Sequence, residues 1–221
     1  MYKPPRKVHR FHYSTSYCLN TMRAILAAVI MFQAMTTGAD CLLCEQCLAT
    51  NAISCSGILK QCSPDVTHCV KGLENSTLGS DVALTVFKGC LDPSRKQTCN
   101  REVSFRNSVS SLQISRTCCD SDFCNRGDVQ VPAVNETTSG YNCEECSDYQ
   151  SVDPCTVTGE VQCTGEHKTC ATFNGTAARP GDTVRLYIMK GCASQDFCNN
   201  FYLAGIQLYS YDLLCSPAKK V

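Results

Sequence analysis

The sequence predicts an all-β protein built from two tandem, disulfide-rich repeats. Three observations carry that expectation. Cysteine makes up 20 of the 221 residues, the cysteines fall into two series with matching gaps, and the apolar residues between them alternate with period two. Cysteine at this density takes the place of a hydrophobic core that small domains cannot build, and it persists as disulfide only in an oxidising compartment.

The secretory route that such chemistry needs has its pattern near the N-terminus. Met22 and Arg23 precede an apolar run over residues 24–32, followed by the small residues Thr36, Thr37, Gly38 and Ala39, which reads as a signal peptide over residues 22–41. A run of nine apolar residues is too short to span a bilayer. Cleavage before Leu42 would remove Cys41, which fits neither series, whereas cleavage after Ala39 would keep it. Residues 1–21 carry Lys3, Arg6, Lys7 and Arg10 and receive no structural role. The segment up to Cys41 holds five of the 20 basic residues and one of the 20 acidic ones, so 15 basic and 19 acidic residues follow it, a net charge of −4. With no Trp and no basic stripe, the chain has nothing to hold a nucleic acid.

The first series is Cys44, Cys47, Cys55, Cys62, Cys69, Cys90, Cys99, Cys118, Cys119 and Cys124. The second is Cys143, Cys146, Cys155, Cys163, Cys170, Cys192, Cys198 and Cys215. Between neighbours lie 2, 7, 6, 6, 20, 8 and 18 residues in the first and 2, 8, 7, 6, 21, 5 and 16 in the second, an internal duplication. Phe87-Lys88-Gly89-Cys90 and Met189-Lys190-Gly191-Cys192 set the register. Residues 128–141 contain no cysteine but do contain Pro132, Thr137, Thr138, Ser139 and Gly140, and read as an exposed linker. Repeat one is thus expected over residues 42–127 and repeat two over 142–221.

Val82, Leu84 and Val86, and likewise Val184, Leu186 and Ile188, alternate ahead of the sixth cysteine of each series, which predicts strands. Polar residues 75–80 and 178–182 precede them and suit turns, giving a hairpin in each repeat. A further hairpin fits residues 101–117, with Leu112 and Ile114 on one face.

A repeat that starts Cys44-x2-Cys47 and ends Cys118-Cys119-x4-Cys124-Asn125 resembles the lymphocyte-antigen-six and urokinase-receptor (LU) domain, the three-finger fold. Spacing alone leaves connectivity open, since eight cysteines allow about 105 pairings. The resemblance implies Cys44 with Cys69, Cys47 with Cys55, Cys62 with Cys90, Cys99 with Cys118 and Cys119 with Cys124. In repeat two it implies Cys143 with Cys170, Cys146 with Cys155, Cys163 with Cys192 and Cys198 with Cys215. Each bridge is worth about 2–4 kcal/mol. Repeat two lacks counterparts of Cys119, Cys124 and Asn125; either the chain is cut short or it resembles the two-domain gamma-type phospholipase A2 inhibitors, in which the second unit ends this way. Residues 216–221 carry no glycolipid-attachment pattern, so a soluble protein without a membrane anchor is expected.

Other motifs have weaker claims. The two Cys-x2-Cys pairs could be zinc or redox sites, but in an even, repeating, secreted set they read as structural disulfides, with no metal and no cofactor. His68 and His167 are the two histidines beyond the leader; both read as surface residues of no special role, and no nucleophile with an oriented base can be singled out, so an enzyme is not expected. Asn75, Asn135 and Asn174 open N-glycosylation sequons, whose expected place is an exposed loop. Arg126-Gly127-Asp128 could reach an integrin's metal site from an exposed turn.

The resemblance implies a secreted stoichiometric inhibitor that binds extracellular phospholipase A2 and blocks its membrane-facing surface. The alternative is a secreted receptor ligand or cell-adhesion factor of the same domain family. The partner is another protein in both readings; its contact residues and any homo- or hetero-oligomer stay open.

Overall fold

The computed structural model describes residues 41–78, 81–130, 133–148, 155–179, 182–199 and 203–221. The segment 1–21 and the signal peptide, apart from Cys41, lie outside the described residues.

Repeat one is three consecutive hairpins: β1 (Leu43–Thr50) with β2 (Ile58–Gln61), β3 (Cys69–Leu78) with β4 (Asp81–Cys90), and β5 (Glu102–Arg106) with β6 (Ser111–Cys119). Repeat two follows with β7 (Thr138–Asp148), β8 (Gly159–Thr164), β9 (Thr169–Ala178), β10 (Arg185–Ala193), a one-turn helix α1 (Gln195–Asn199), β11 (Gln207–Pro217) and β12 (Lys219–Lys220). β7 starts inside the segment read as linker, pairing Thr138 with Thr164.

In each repeat the strand that opens the second hairpin is central. β3 pairs with β4 and β6, and β1 with β4; β9 pairs with β10 and β11, and β7 with β10. The third hairpins differ. β6 carries β5 on its outer edge, whereas among the described residues β11 carries no strand there. β5 in turn reaches repeat two, pairing Arg106 with Cys192 and Phe105 with Ala193 on β10. The two repeats therefore share one continuous sheet, and residues 41–221 form one compact unit.

The described cysteines form nine disulfides, Cys44–Cys69, Cys47–Cys55, Cys62–Cys90, Cys99–Cys118, Cys119–Cys124, Cys143–Cys170, Cys146–Cys155, Cys163–Cys192 and Cys198–Cys215. Cys41 alone among them is unpaired. Where repeat one closes with Cys119–Cys124, repeat two has Ser216 after Cys215, and the chain instead folds back as β12, pairing Lys219 with Asn142 and Lys220 with Tyr141.

Period-two alternation locates the core, but only part of each predicted face reaches it. Leu112 and Ile114 are buried on β6. Val86 and Ile188 are buried near their cysteines, while Val82 and Val184, farther out along the hairpins, are mostly exposed, because the fingers project beyond the core that covers their bases. Residues 75–78 of the polar stretch are strand rather than turn, and residues 79 and 80 lie outside the described residues. β3 continues to Leu78, and Asn75 pairs with Leu84 on one side and Gln113 on the other. Ladders on both edges outweigh the low strand preference of the residues themselves.

One apolar cluster joins the repeats. Val70, Phe87, Leu91, Val103, Phe105, Leu112 and Ile114 of repeat one pack with Ala171, Phe173, Met189, Ala193 and Phe197 of repeat two. Phe105 and Phe197 stack across the junction with ring centroids 5.5 Å apart. Each repeat keeps a second, local core of cystines, around Cys44, Cys62 and Cys69 and around Cys143, Cys163 and Cys192.

Candidate functional site

The seam between the repeats is built from polar groups that the sequence alone does not place together. Ser194 donates its amide to the Ser104 carbonyl at 2.9 Å, and Ser104 returns its amide to Ser194 Oγ at 3.0 Å. Asn107 Nδ2 donates to the carbonyls of Cys146 and Lys190 at 3.2 and 3.1 Å and to Ser147 Oγ at 2.8 Å. On the other side of the junction Glu74, fully buried in the middle of β3, accepts from the amides of Ala204 and Gly205, the latter at 3.0 Å. Desolvation raises the Glu74 carboxyl above its ordinary range, against those two amides and the Arg179 and Arg116 guanidinium groups.

Two glycines record how closely the repeats approach. A Cβ on Gly191 would stand 2.4 Å from the Arg106 carbonyl oxygen, and one on Gly205 would stand 2.2 Å from Thr85 Oγ1. Gly89, at the matching place in the repeated Lys-Gly-Cys signature, has nothing within 4 Å. The same residue is thus demanded by the seam in one repeat and unconstrained by packing in the other.

His167 belongs to this seam and is not the surface residue expected from sequence. It is 8% exposed, and its Nε2 lies 2.7 Å from Ser104 Oγ in the other repeat. Its Nδ1 is buried with no hydrogen-bond partner, so no third group orients the ring as a base for Ser104. Burial lowers the imidazole below its ordinary 6.5, with Glu102 opposing the shift and Arg106 adding to it. For such a base the stabilisation is present above 6.5 and is lost as pH falls from there through the depressed folded value. Thermal unfolding is expected to show the stability difference between wild type and His167→Gln shrinking as pH drops from 7.5 to 5.5; a difference that stays constant would contradict the assignment. His68 is half-buried, with Nδ1 2.8 Å from Thr67 Oγ1, and takes no part in the junction.

Beside the seam runs a groove of about 980 Å³, whose walls include Asn75, Glu102, Arg106, Asn135, Glu166 and Lys168. Two sequon asparagines face the same groove. Asn75 is half-buried on β3 rather than in a loop, Asn135 is exposed in the segment before β7, and Asn174 is exposed on β9. Apolar side chains are exposed at both ends of the sheet, Ile58 and Leu59 on β2 and Tyr209, Tyr211 and Leu214 on β11.

Repeat one is locked to its own C-terminal loop. Asn125, fully buried, accepts the Glu45 amide at 2.9 Å and donates to the carbonyls of Glu45 and Val70 at 2.8 and 3.0 Å, so one side chain ties β1 to β3. Glu45 pairs with Lys88 at 3.0 Å, and the Lys88 hydrogen bond holds its carboxyl below the usual range. The next three residues, Arg126, Gly127 and Asp128, are exposed.

Sulfur atoms of Cys44, Cys62 and Cys90, and of Cys143, Cys163 and Cys192, gather within 4.8 Å of one another. All six are spent in disulfides, so neither group offers the thiolates that a metal would need. No helix among the described residues is long and apolar enough to cross a membrane.

The u-PAR/Ly-6 domain model matches residues 40–127 and again 139–219. The bovine (Bos taurus) urokinase plasminogen activator surface receptor is 28% identical over 167 residues, covering 73% of this chain and 46% of the receptor. The chain thus spans about half the length of that relative. The crystal structure of mouse TEX101 aligns over 81% of this chain and 99% of its own, at 13% identity and a TM-score of 0.36.

Proposed function

Since the chain belongs to the u-PAR/Ly-6 domain family, whose members are extracellular or cell-surface proteins that bind other proteins, we propose that it is a secreted, stoichiometric protein ligand whose target is an extracellular phospholipase A2. The observation that carries the ligand reading is the fusion of two disulfide-framed repeats through one sheet and one apolar core. A surface preorganised to this degree loses little conformational entropy on docking, which favours tight association. The choice of phospholipase A2 rests on the cysteine pattern, in which Ser216 stands where repeat one has Cys119, as it would in a gamma-type inhibitor. The net charge of −4 after Cys41 favours basic partners, within the limit that salt screening sets.

Purified, oxidised residues 42–221 titrated into a panel of secreted phospholipases A2, with hydrolysis of lipid vesicles as readout, are expected to give saturable inhibition near one-to-one stoichiometry. Absence of binding across the panel, by protein with no free thiol, would sink the phospholipase target and leave a receptor ligand as the reading to pursue.

A further inference from the structure

We propose that Arg126-Gly127-Asp128 is a second, separate docking site, for a receptor that presents a divalent cation with an open coordination position to the Asp128 carboxylate and an acidic pocket to the Arg126 guanidinium, the chemistry of an integrin headpiece.

A tripeptide of this kind needs a loop that presents it, and the surrounding residues build one. Immediately upstream, Cys124 is bonded to Cys119 and Asn125 is fully buried on three hydrogen bonds, so the loop starts from a fixed point. Arg126 continues it with a turn, its amide donating to the Phe123 carbonyl at 3.3 Å. On β3, the Lys71 ammonium donates to the carbonyls of both Arg126 and Asp128, at 3.1 and 3.2 Å. Those carbonyls flank Gly127, so a single side chain clamps the backbone on both sides of the tripeptide's centre. Gly127 has φ +78° with nothing within 4 Å of a Cβ position; glycine is there for its backbone freedom, and a side chain would strain the turn.

The clamp consumes backbone acceptors and leaves the recognition groups available. The Asp128 carboxylate makes no hydrogen bond or ion pair among the described residues. The Arg126 guanidinium lies over the Phe123 ring, 5.0 Å from its centroid, an exposed and therefore weak cation–π contact that a carboxylate pocket can displace. All three residues are exposed, and none of them is among the residues at the junction between repeats. A carboxylate is the hard oxygen ligand that Mg²⁺ or Ca²⁺ takes, and a guanidinium suits bidentate pairing with an acidic residue.

The test is binding of the oxidised protein to the purified headpiece of a fibronectin-binding integrin in Mg²⁺ buffer, compared with Asp128→Glu and Arg126→Gln variants and with EDTA. Saturable binding is expected for wild type, lost in EDTA and weakened at least tenfold by Asp128→Glu, with inhibition of phospholipase A2 by the same variant unchanged from wild type. Wild-type protein that does not bind, binding that persists in EDTA, or Asp128→Glu that binds as wild type would each overturn the proposal. The unfolding midpoint of the Asp128 variant serves as the control for folding, and its exposed position predicts no change.

Discussion

Replacing Phe197 by alanine is expected to cost about 3–5 kcal/mol, the range for removing a buried aromatic ring from a core, and to weaken both repeats at once. Phe197 is 2% exposed, sits on the single-turn helix α1, and stacks on Phe105 of the other repeat. Its neighbours in the cluster come from both halves of the chain, so the void left by the ring opens at the junction itself. The short helix cannot close it, because Cys198–Cys215 holds its next residue and the Phe197 amide is already committed to the Ser194 carbonyl and hydroxyl. Denaturant unfolding followed by one probe in each repeat should show both midpoints falling together. A loss confined to repeat two would mean that the junction is only a contact between independent domains.

Asn125→Asp is the second large effect. The substitution keeps the shape and still accepts the Glu45 amide, but it removes the donor to the Glu45 and Val70 carbonyls and sets a carboxylate oxygen against them. Losing those two buried hydrogen bonds costs about 0.5–1.5 kcal/mol each, and burying a carboxylate against two carbonyl oxygens adds to that. A loss of roughly 3 kcal/mol or more is expected from chemical unfolding, concentrated where β1 meets β3. A loss below about 1 kcal/mol would mean that the disulfides alone hold this end. Because Arg126 follows directly, the same variant should also loosen the proposed integrin-binding loop, whereas Phe197→Ala should leave it intact.

The cysteine spacing and the repeated Lys-Gly-Cys signature carry the duplication, since both are local and tied to the chain's own numbering. Strand positions follow for the same reason, as Leu112, Ile114 and Ile188 illustrate. What escaped the sequence is everything decided by packing across the junction. Nothing local marks Glu74 for burial, because its donors, Ala204 and Gly205, lie 130 and 131 residues away in sequence. His167 reads as surface until Ser104 and the groove beside it are known. Asn75 reads as a turn residue because its surroundings have the composition of a loop, and only pairing with β4 and β6 makes it strand. Gly191 and Phe197 carry a local signal: each stands directly before a cysteine of the second series, where a close backbone approach needs a glycine and a buried anchor an aromatic ring. The Arg126 loop was legible as a motif, but its clamp by Lys71 depends on a strand 55 residues earlier.

The proposed ligand role rests on the two repeats acting as a single body. Differential scanning calorimetry of oxidised residues 42–221 tests that most directly. One transition, with calorimetric and van't Hoff enthalpies equal, is the expected result; two separable transitions, each with the enthalpy of a single repeat, would contradict it.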